Sequence, residues 1–139
     1  MISLSLIKKE EYKEAKSILE FENIEDCFEE GIVYILKDRD EMLGLGKISL
    51  EKDYGILKYI VVRDEYRGAN LGDALLRVLI YKAESLGIDR VYFRDGDSYL
   101  LSNGFLYNGD NLKDTYRLVL NVHDFFNKSC SNCGGKNGF

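Results

Sequence analysis

No proline occurs anywhere in the 139 residues, so one class of boundary signal is missing and nothing of that kind marks off a second domain. Cysteine is scarce and odd in number, three in all, which does not make a disulfide framework. There is one histidine, His123, far along the chain from the motif discussed below. No apolar run approaches the roughly 20 residues that a bilayer-spanning helix needs. A secretory leader is not expected either, because the N-terminus turns charged at Lys8-Lys9-Glu10-Glu11 after a short apolar stretch. The chain also lacks a basic excess. With 19 Lys and Arg against 24 Asp and Glu, its net charge of −5 argues against nucleic acid or an anionic membrane as the main partner. The cytoplasm is the compartment these absences leave.

What is present suits one globular domain. Hydrophobic residues make up 45% and charged residues 31%, an ordinary balance for a chain long enough to bury a core. No internal repeat is visible. The one compositional shift is at the C-terminus, so the expected organisation is a domain over 1–126 and a flexible Cys- and Gly-containing tail over 127–139. Cys130-Ser-Asn-Cys133 has the spacing of half a zinc knuckle. Cys27 and His123 are the other soft donors, and two tails paired in a homodimer would supply four thiolates. A tail with two free thiols is the simpler reading, and no metal is assigned.

Periodicity predicts alternating strands and helices. Ile2–Ile7 reads as a strand, and Lys9–Phe21 as an amphipathic helix with Tyr12, Ala15, Ile18 and Leu19 on one face. Asn23–Glu30 is ambiguous and fits a second short helix. Gly31–Lys37 and Met42–Leu50 read as a hairpin around a turn at Asp38–Glu41, with Gly44 and Gly46 pointing to a bulge or a close approach of another chain. Tyr54–Val62 is apolar on both faces, as a central strand should be. Leu71–Leu86 is the strongest helix, with Leu71, Ala74, Leu75, Val78 and Leu79 at helical spacing and Gly87 placed to cap it. Val91–Arg94, Ser98–Asn103 and Arg117–Val122 follow as strand, short helix and strand. A strand, long helix and strand in succession predict a right-handed parallel crossover, and the earlier hairpin makes the sheet mixed.

The most informative stretch joins two of these elements. Tyr59-Ile-Val-Val-Arg-Asp-Glu-Tyr-Arg67-Gly-Ala-Asn-Leu-Gly72-Asp73 runs from a β-branched strand through a polar, glycine-containing turn into the long helix. Such a turn presents unpaired backbone N–H groups at the positive end of the helix dipole, a ready site for phosphate.

Arg67-Gly68-Ala69-Asn70-Leu71-Gly72 resembles the acyl-CoA-binding motif of the GNAT family of N-acetyltransferases, Arg/Gln-x-x-Gly-x-Gly/Ala. Asn70 stands where that family usually has its middle glycine, and Asn is the non-glycine residue most tolerant of positive φ. Tyr99-Leu-Leu-Ser-Asn-Gly104-Phe105 is similar to the family's later helix, which ends in a Gly-Phe pair introducing the next strand. The resemblance spans residues 2 to about 122, and its specific part is Val61–Arg77. It implies an α/β (α+β) fold: a mixed, mostly antiparallel sheet of six to seven strands flanked by about four helices. Around the acyl-CoA motif, a parallel strand pair would splay apart.

It further implies an N-acetyltransferase that moves an acetyl group from acetyl-CoA to a primary amine of a small molecule or peptide, by direct attack in a ternary complex. The cofactor-binding residues carried over are Ile60, Val61, Val62, Arg67, Gly68, Ala69, Asn70, Leu71, Gly72 and Asp73. The turn and Arg67 would hold the pyrophosphate. A backbone N–H near Val61 or Val62 would stabilise the thioester oxygen. The family commonly protonates the leaving thiolate with a Tyr four residues before the Gly of Gly-Phe. That position is Leu100 here, with Tyr99 one residue earlier, rotated by about 100° on a helix. Tyr99 is therefore the candidate catalytic acid or, alternatively, an aromatic packed beside Phe105.

Glu51, Asp53, Asp95 and Asp97 are candidate bases near strand ends, where acidic residues also serve as plain turn chemistry. His123 reads as structural. Lys58 interrupts a central strand, so it snorkels to an edge or faces a wet cleft. In the second case, with Arg94 near the end of the neighbouring strand, the acceptor would carry a carboxylate. Two other readings stay open: a non-catalytic acyl-CoA-binding or regulatory module of the same fold, and an unrelated α/β domain that binds no CoA.

Overall fold

The computed structural model describes residues 1–68, 70–109 and 115–126. The tail expected over 127–139 lies outside them, as does Ala69. Seven strands form one sheet, in the order β1-β2-β3-β4-β5-β7-β6. They are β1 (Ile2–Leu6), β2 (Ile32–Asp38), β3 (Glu41–Leu50), β4 (Gly55–Val62), β5 (Arg90–Phe93), β6 (Leu106–Tyr107) and β7 (Leu118–Asn121). The helices are α1 (Tyr12–Glu20), α2 (Leu71–Ser85) and α3 (Ser98–Ser102), with a further helical turn over 122–126. The expected mixed sheet is present: β4 and β5 run parallel, while β1–β2, β2–β3, β5–β7 and β6–β7 are antiparallel.

Two compact units divide the chain. The first comprises Met1–Leu50 and Lys58–Lys82. In it, successive strand residues feed opposite faces of the sheet, as a pleated strand requires. Val33, Ile35, Met42, Leu45, Tyr59 and Val61 pack with Ala15, Ile18 and Leu19 of α1. Leu36, Leu43 and Val62 pack with Leu75 of α2, joined by Ile60, Leu71 and Ala74. Burial on both faces explains why β4 lacks the apolar–polar alternation of a surface strand. Lys58 is its exception and is exposed. The buried stripe of α2 is Leu75, Leu76, Leu79, Ile80 and Ala83, wider than the spacing predicted, and Val78 is half-buried.

Both features expected at Gly44 and Gly46 are found. The β2–β3 register slips between Leu36 and Lys37, a bulge that leaves Leu43 as the extra residue. A Cβ on Gly44 would lie 2.6 Å from the Val61 carbonyl oxygen, closer than non-bonded atoms tolerate. Only the absent side chain lets β3 and β4 come this near.

One expectation fails. Asn23–Glu30 is not a helix: Asn23 (φ 58°) and Phe28 (φ 67°) adopt left-handed backbone, which breaks helical continuation. Tertiary packing decides this, because Phe28 turns into the core and its ring meets Tyr12 at 5.2 Å. The predicted hairpin turn is also shorter than expected, Arg39-Asp40 alone.

The second unit comprises Glu51–Leu57 and the chain from Ala83 onward. Here β4 and β5 pair at Gly55–Val91 and Ile56–Tyr92, and Tyr54, Tyr92 and Tyr116 pack ring against ring. The end of α2 is closed as its sequence predicts. Ile88 N–H donates to the Ala83 carbonyl (3.0 Å) and Gly87 N–H to that of Glu84 (3.0 Å), the paired bonds of a Schellman cap. Asp97 caps α3 by accepting from Leu100 N–H. The predicted Gly-Phe pair does introduce a strand, β6, with Phe105 buried.

A lysine inside the first unit has no counterpart in the sequence reading. Lys47 is 5% exposed. Its Nζ donates to Asp26 Oδ1 at 2.6 Å, and the Tyr59 hydroxyl donates to Asp26 Oδ2 at 2.7 Å. The pair ties the irregular segment after α1 to β3 and β4. Burial alone would raise the Asp26 carboxyl, but the bonds from Lys47 and Tyr59 and the ammonium charge outweigh it and hold the pKa below the ordinary 3.8. Burial and the Asp26 hydrogen bond push the Tyr59 phenol up.

Removing one partner of a buried pair leaves an uncompensated charge. Lys47→Met should therefore cost about 3 kcal/mol, while Lys47→Met with Asp26→Asn should cost less than the single change. Urea unfolding of the two variants checks this, and a double variant weaker than the single one would contradict it. Because the Asp26 pKa is depressed on folding, its contribution is complete above about pH 5 and drains away as pH falls through the folded value. Asp26→Asn should flatten that acid limb of the stability–pH curve.

Candidate active site

The end of β4 is held by side chains that fold back onto it. Arg63 N–H donates to the Leu43 carbonyl (2.8 Å), and Arg63 Nε to the Met42 carbonyl (2.7 Å). A 3-10 turn, Asp64–Tyr66, follows, and the Tyr66 hydroxyl donates to Glu41 at 2.9 Å. That bond, first among the causes, raises the Tyr66 pKa. The chain then passes through extended Arg67, Gly68 at φ +91° and Asn70 at φ +61°. Ala74 N–H donates to the Asn70 carbonyl at 3.3 Å, opening α2 directly behind the turn. So Asn70 does adopt the left-handed conformation for which glycine is the usual choice. Nothing lies within 4 Å of where a Cβ on Gly68 would project, so this side of the turn is open. The first N–H groups of any α-helix lack intrahelical acceptors, and α2 begins immediately after the turn.

Beside it lies a cleft of about 170 Å³, lined by Ile18, Phe21 and Glu22 from the α1 end, Val61 and Val62 from β4, and Arg63, Asp64, Glu65 and Arg67. Its size accommodates one chemical group rather than a whole drug-sized ligand. The Val61 carbonyl faces Gly44 on β3. Successive backbone groups of a strand point to opposite edges, so the amide groups of Ile60 and Val62 point away from β3. Accordingly, the Val62 carbonyl accepts from Arg67 Nε at 2.9 Å.

Arg67, expected to hold a pyrophosphate, is bonded to the chain's own groups. Its Nη2 donates to Glu22 at 2.9 Å, and its Nη1 is 2.9 Å from Asp64. With the Val62 bond, all three guanidinium nitrogens are engaged by the chain itself. Arg63 is also within 3.7 Å of Glu14. Three carboxylates in the cleft lining, Glu22, Asp64 and Glu65, outnumber its two guanidinium groups.

Apart from Lys58, which is in the first unit and exposed, the candidate acid and bases lie in the second unit. Tyr99 is in the first turn of α3 and is 39% exposed, whereas Leu100 is 3% exposed. The one-residue offset therefore sends Leu100 inward and Tyr99 outward, so Tyr99 does not take the packed core position. Glu51, Asp53 and Asp95 are exposed, and Asp97 is spent capping α3. His123 and Arg94 are exposed, as is Cys27 of the first unit. Among the described residues, no three His, Cys, Asp or Glu side chains gather as a metal site, and no helix is long and apolar enough to cross a membrane. Sequence reasoning missed Glu22 and Asp26. Lys47, inside an otherwise apolar strand, was the one available signal that a carboxylate must meet it.

Known proteins share this architecture. The acetyltransferase (GNAT) family model matches residues 2–103. An uncharacterised N-acetyltransferase of Bacillus subtilis, YobR, is 31% identical over 93 residues, 67% of this chain and 36% of that protein, so the chain spans about a third of its relative. Among solved structures, the N-acetylglutamate synthase of Neisseria gonorrhoeae complexed with coenzyme A and L-arginine superposes with a TM-score of 0.76. It is 16% identical, over 88% of this chain and 33% of that one. The ribosomal-protein-S18-alanine N-acetyltransferase of Escherichia coli gives 0.68 at 20% identity, over 88% of this chain and 94% of that one. Matched in sequence from β1 into α3, and carrying the parallel β4–β5 pair and the strand–turn–helix junction, the chain belongs to the acetyltransferase (GNAT) family.

Proposed function

We propose that the chain is an N-acetyltransferase that moves an acetyl group from acetyl-CoA to a primary amine of a small molecule or peptide. The observation that carries this reading is the β4–turn–α2 junction. Left-handed backbone at Gly68 and Asn70 turns the chain into the start of α2, and the space beyond Gly68 is open. A diphosphate there meets backbone donors and the positive end of the helix dipole together.

The chemistry requires little more from the chain than placement and charge stabilisation. Pantetheine would lie along Ile60–Val62, whose outward-facing amides are those of Ile60 and Val62. The Val62 N–H is then the donor for the thioester oxygen as negative charge grows on it. The neutral amine forms the new C–N bond and the C–S bond breaks. The amine loses one proton and the departing thiolate gains one. Tyr99 is the residue proposed to supply that proton, since a phenol with an ordinary pKa near 10 suits a thiol leaving group. The base is left to water among the exposed carboxylates. The reading assigns the enzyme to the cytoplasm, and to the tail over 127–139 no part in folding or CoA binding.

One observation favours a second reading, a non-catalytic acyl-CoA-binding module: the place where the family carries its acid is the buried Leu100. Incubation with acetyl-CoA and a panel of amines separates the two. Release of free thiol supports the enzyme, and tight binding without release supports the module.

Two substitutions probe the site. Gly72→Glu puts bulk and negative charge where the diphosphate is to sit, and should weaken CoA binding at least tenfold by calorimetry, about 1.4 kcal/mol. Unchanged affinity would remove the turn from the site. Tyr99→Phe keeps the ring and deletes the proton donor, so turnover should fall by about 10²–10⁴-fold, and a loss below threefold would leave water as the proton source. Deleting 127–139 should leave the thermal midpoint and CoA affinity unchanged. Stoichiometric zinc in the purified protein, lost on Cys130→Ser, would overturn that view of the tail.

A further inference from the structure

We infer that Glu22 is a built-in competitor of the anionic ligand: it holds the Arg67 guanidinium, and the diphosphate of CoA displaces it. This rests on the assignment of the Arg67–Gly72 turn made above, and adds to it a residue that nothing in the motif contains.

Three observations converge on the exchange. First, every guanidinium nitrogen already has a partner, since Nε serves the Val62 carbonyl, Nη1 faces Asp64, and Nη2 donates to Glu22. Three of its five N–H donors are taken, and an incoming phosphate competes with two carboxylates for one cation. Second, the three are unequal. The Val62 bond is short-range and part-buried, and Asp64 is three residues away in the same turn, so both are held by local chain geometry. Glu22 reaches across 45 residues from the end of α1, and its side chain is 39% exposed against 51% for Arg67. It is the partner that can swing into solvent without disturbing the turn. Third, the pair lies in the lining of the cleft, where the carboxylates of Glu22, Asp64 and Glu65 exceed the two arginines. A diphosphate approaching this surface meets net negative charge until one carboxylate leaves.

Calorimetric titration of the full chain with CoA tests the exchange. An exposed ion pair is weak, which sets the expected gain at about threefold. Glu22→Gln should bind CoA about threefold more tightly than the parent. Pantetheine, which carries no diphosphate, should bind both proteins alike. In an Arg67→Gln background, Glu22→Gln should bring no gain, because the competition needs both partners. Glu22→Ala should repeat the direction of Glu22→Gln, guarding against an accident of the amide. Equal or weaker CoA binding by both Glu22 variants overturns the exchange alone. A gain that persists without Arg67 also overturns it, by showing a general charge effect. Absence of any CoA binding by the parent overturns the turn assignment itself, and the exchange with it.

Discussion

The approach of β3 to β4 at Gly44 is the constraint on which the candidate site depends. With no Cβ at Gly44, the Val61 carbonyl comes within 2.6 Å of where one would sit. The close approach lets the Arg63 N–H reach the Leu43 carbonyl, and that bond fixes which edge of β4 each amide faces. Because Val61 is turned toward β3, Val62 is turned away, and its carbonyl becomes the acceptor around which Arg67 folds. The direction of the chain at Arg63, the turn that follows and the start of α2 are all set from this point. A larger residue at Gly44 would have to push the strands apart, and it would move the strand end, the turn and the helix start together.

The electrostatics of the same region run against a simple picture of a basic anion-binding loop. Both arginines around the turn are occupied by the protein's own groups, Arg63 by the Met42 carbonyl and Glu14, Arg67 by Val62, Glu22 and Asp64. They act as braces that shape the strand end. The donors that carry no formal charge are the backbone amides at the start of α2, which are held in place by the helix.

Much of the fold was legible because it depends on local rules. The apolar spacing of α2, its glycine cap, the two-sided hydrophobicity of β4 and the Gly-Phe entry into β6 each follow from the pleat or from the helical repeat. The left-handed residue at Asn70 was legible too, since so few side chains tolerate that conformation. The failures share a physical cause. Asn23–Glu30 looked helical until Phe28 was drawn into the core against Tyr12, and burial of an aromatic ring outweighs the weak helical preference of eight residues. The Asp26–Lys47–Tyr59 set was invisible because its members are 12 to 33 positions apart, and in sequence an aspartate in a polar segment reads as a solvated turn.

Sequence alone therefore determined the family, the strand–turn–helix junction and the positions where backbone must turn left-handed, since each is written within a window of about fifteen residues. Only the tertiary structure decided which groups those residues meet. It turned Leu100 inward and Tyr99 outward, gave the buried lysine its carboxylate, and brought Glu22 from the end of α1 to Arg67, 45 residues away. Pairings of this kind depend on how sheet and helix pack across the whole first unit. No local pattern of residues encodes a contact whose two halves are assembled only when the chain folds.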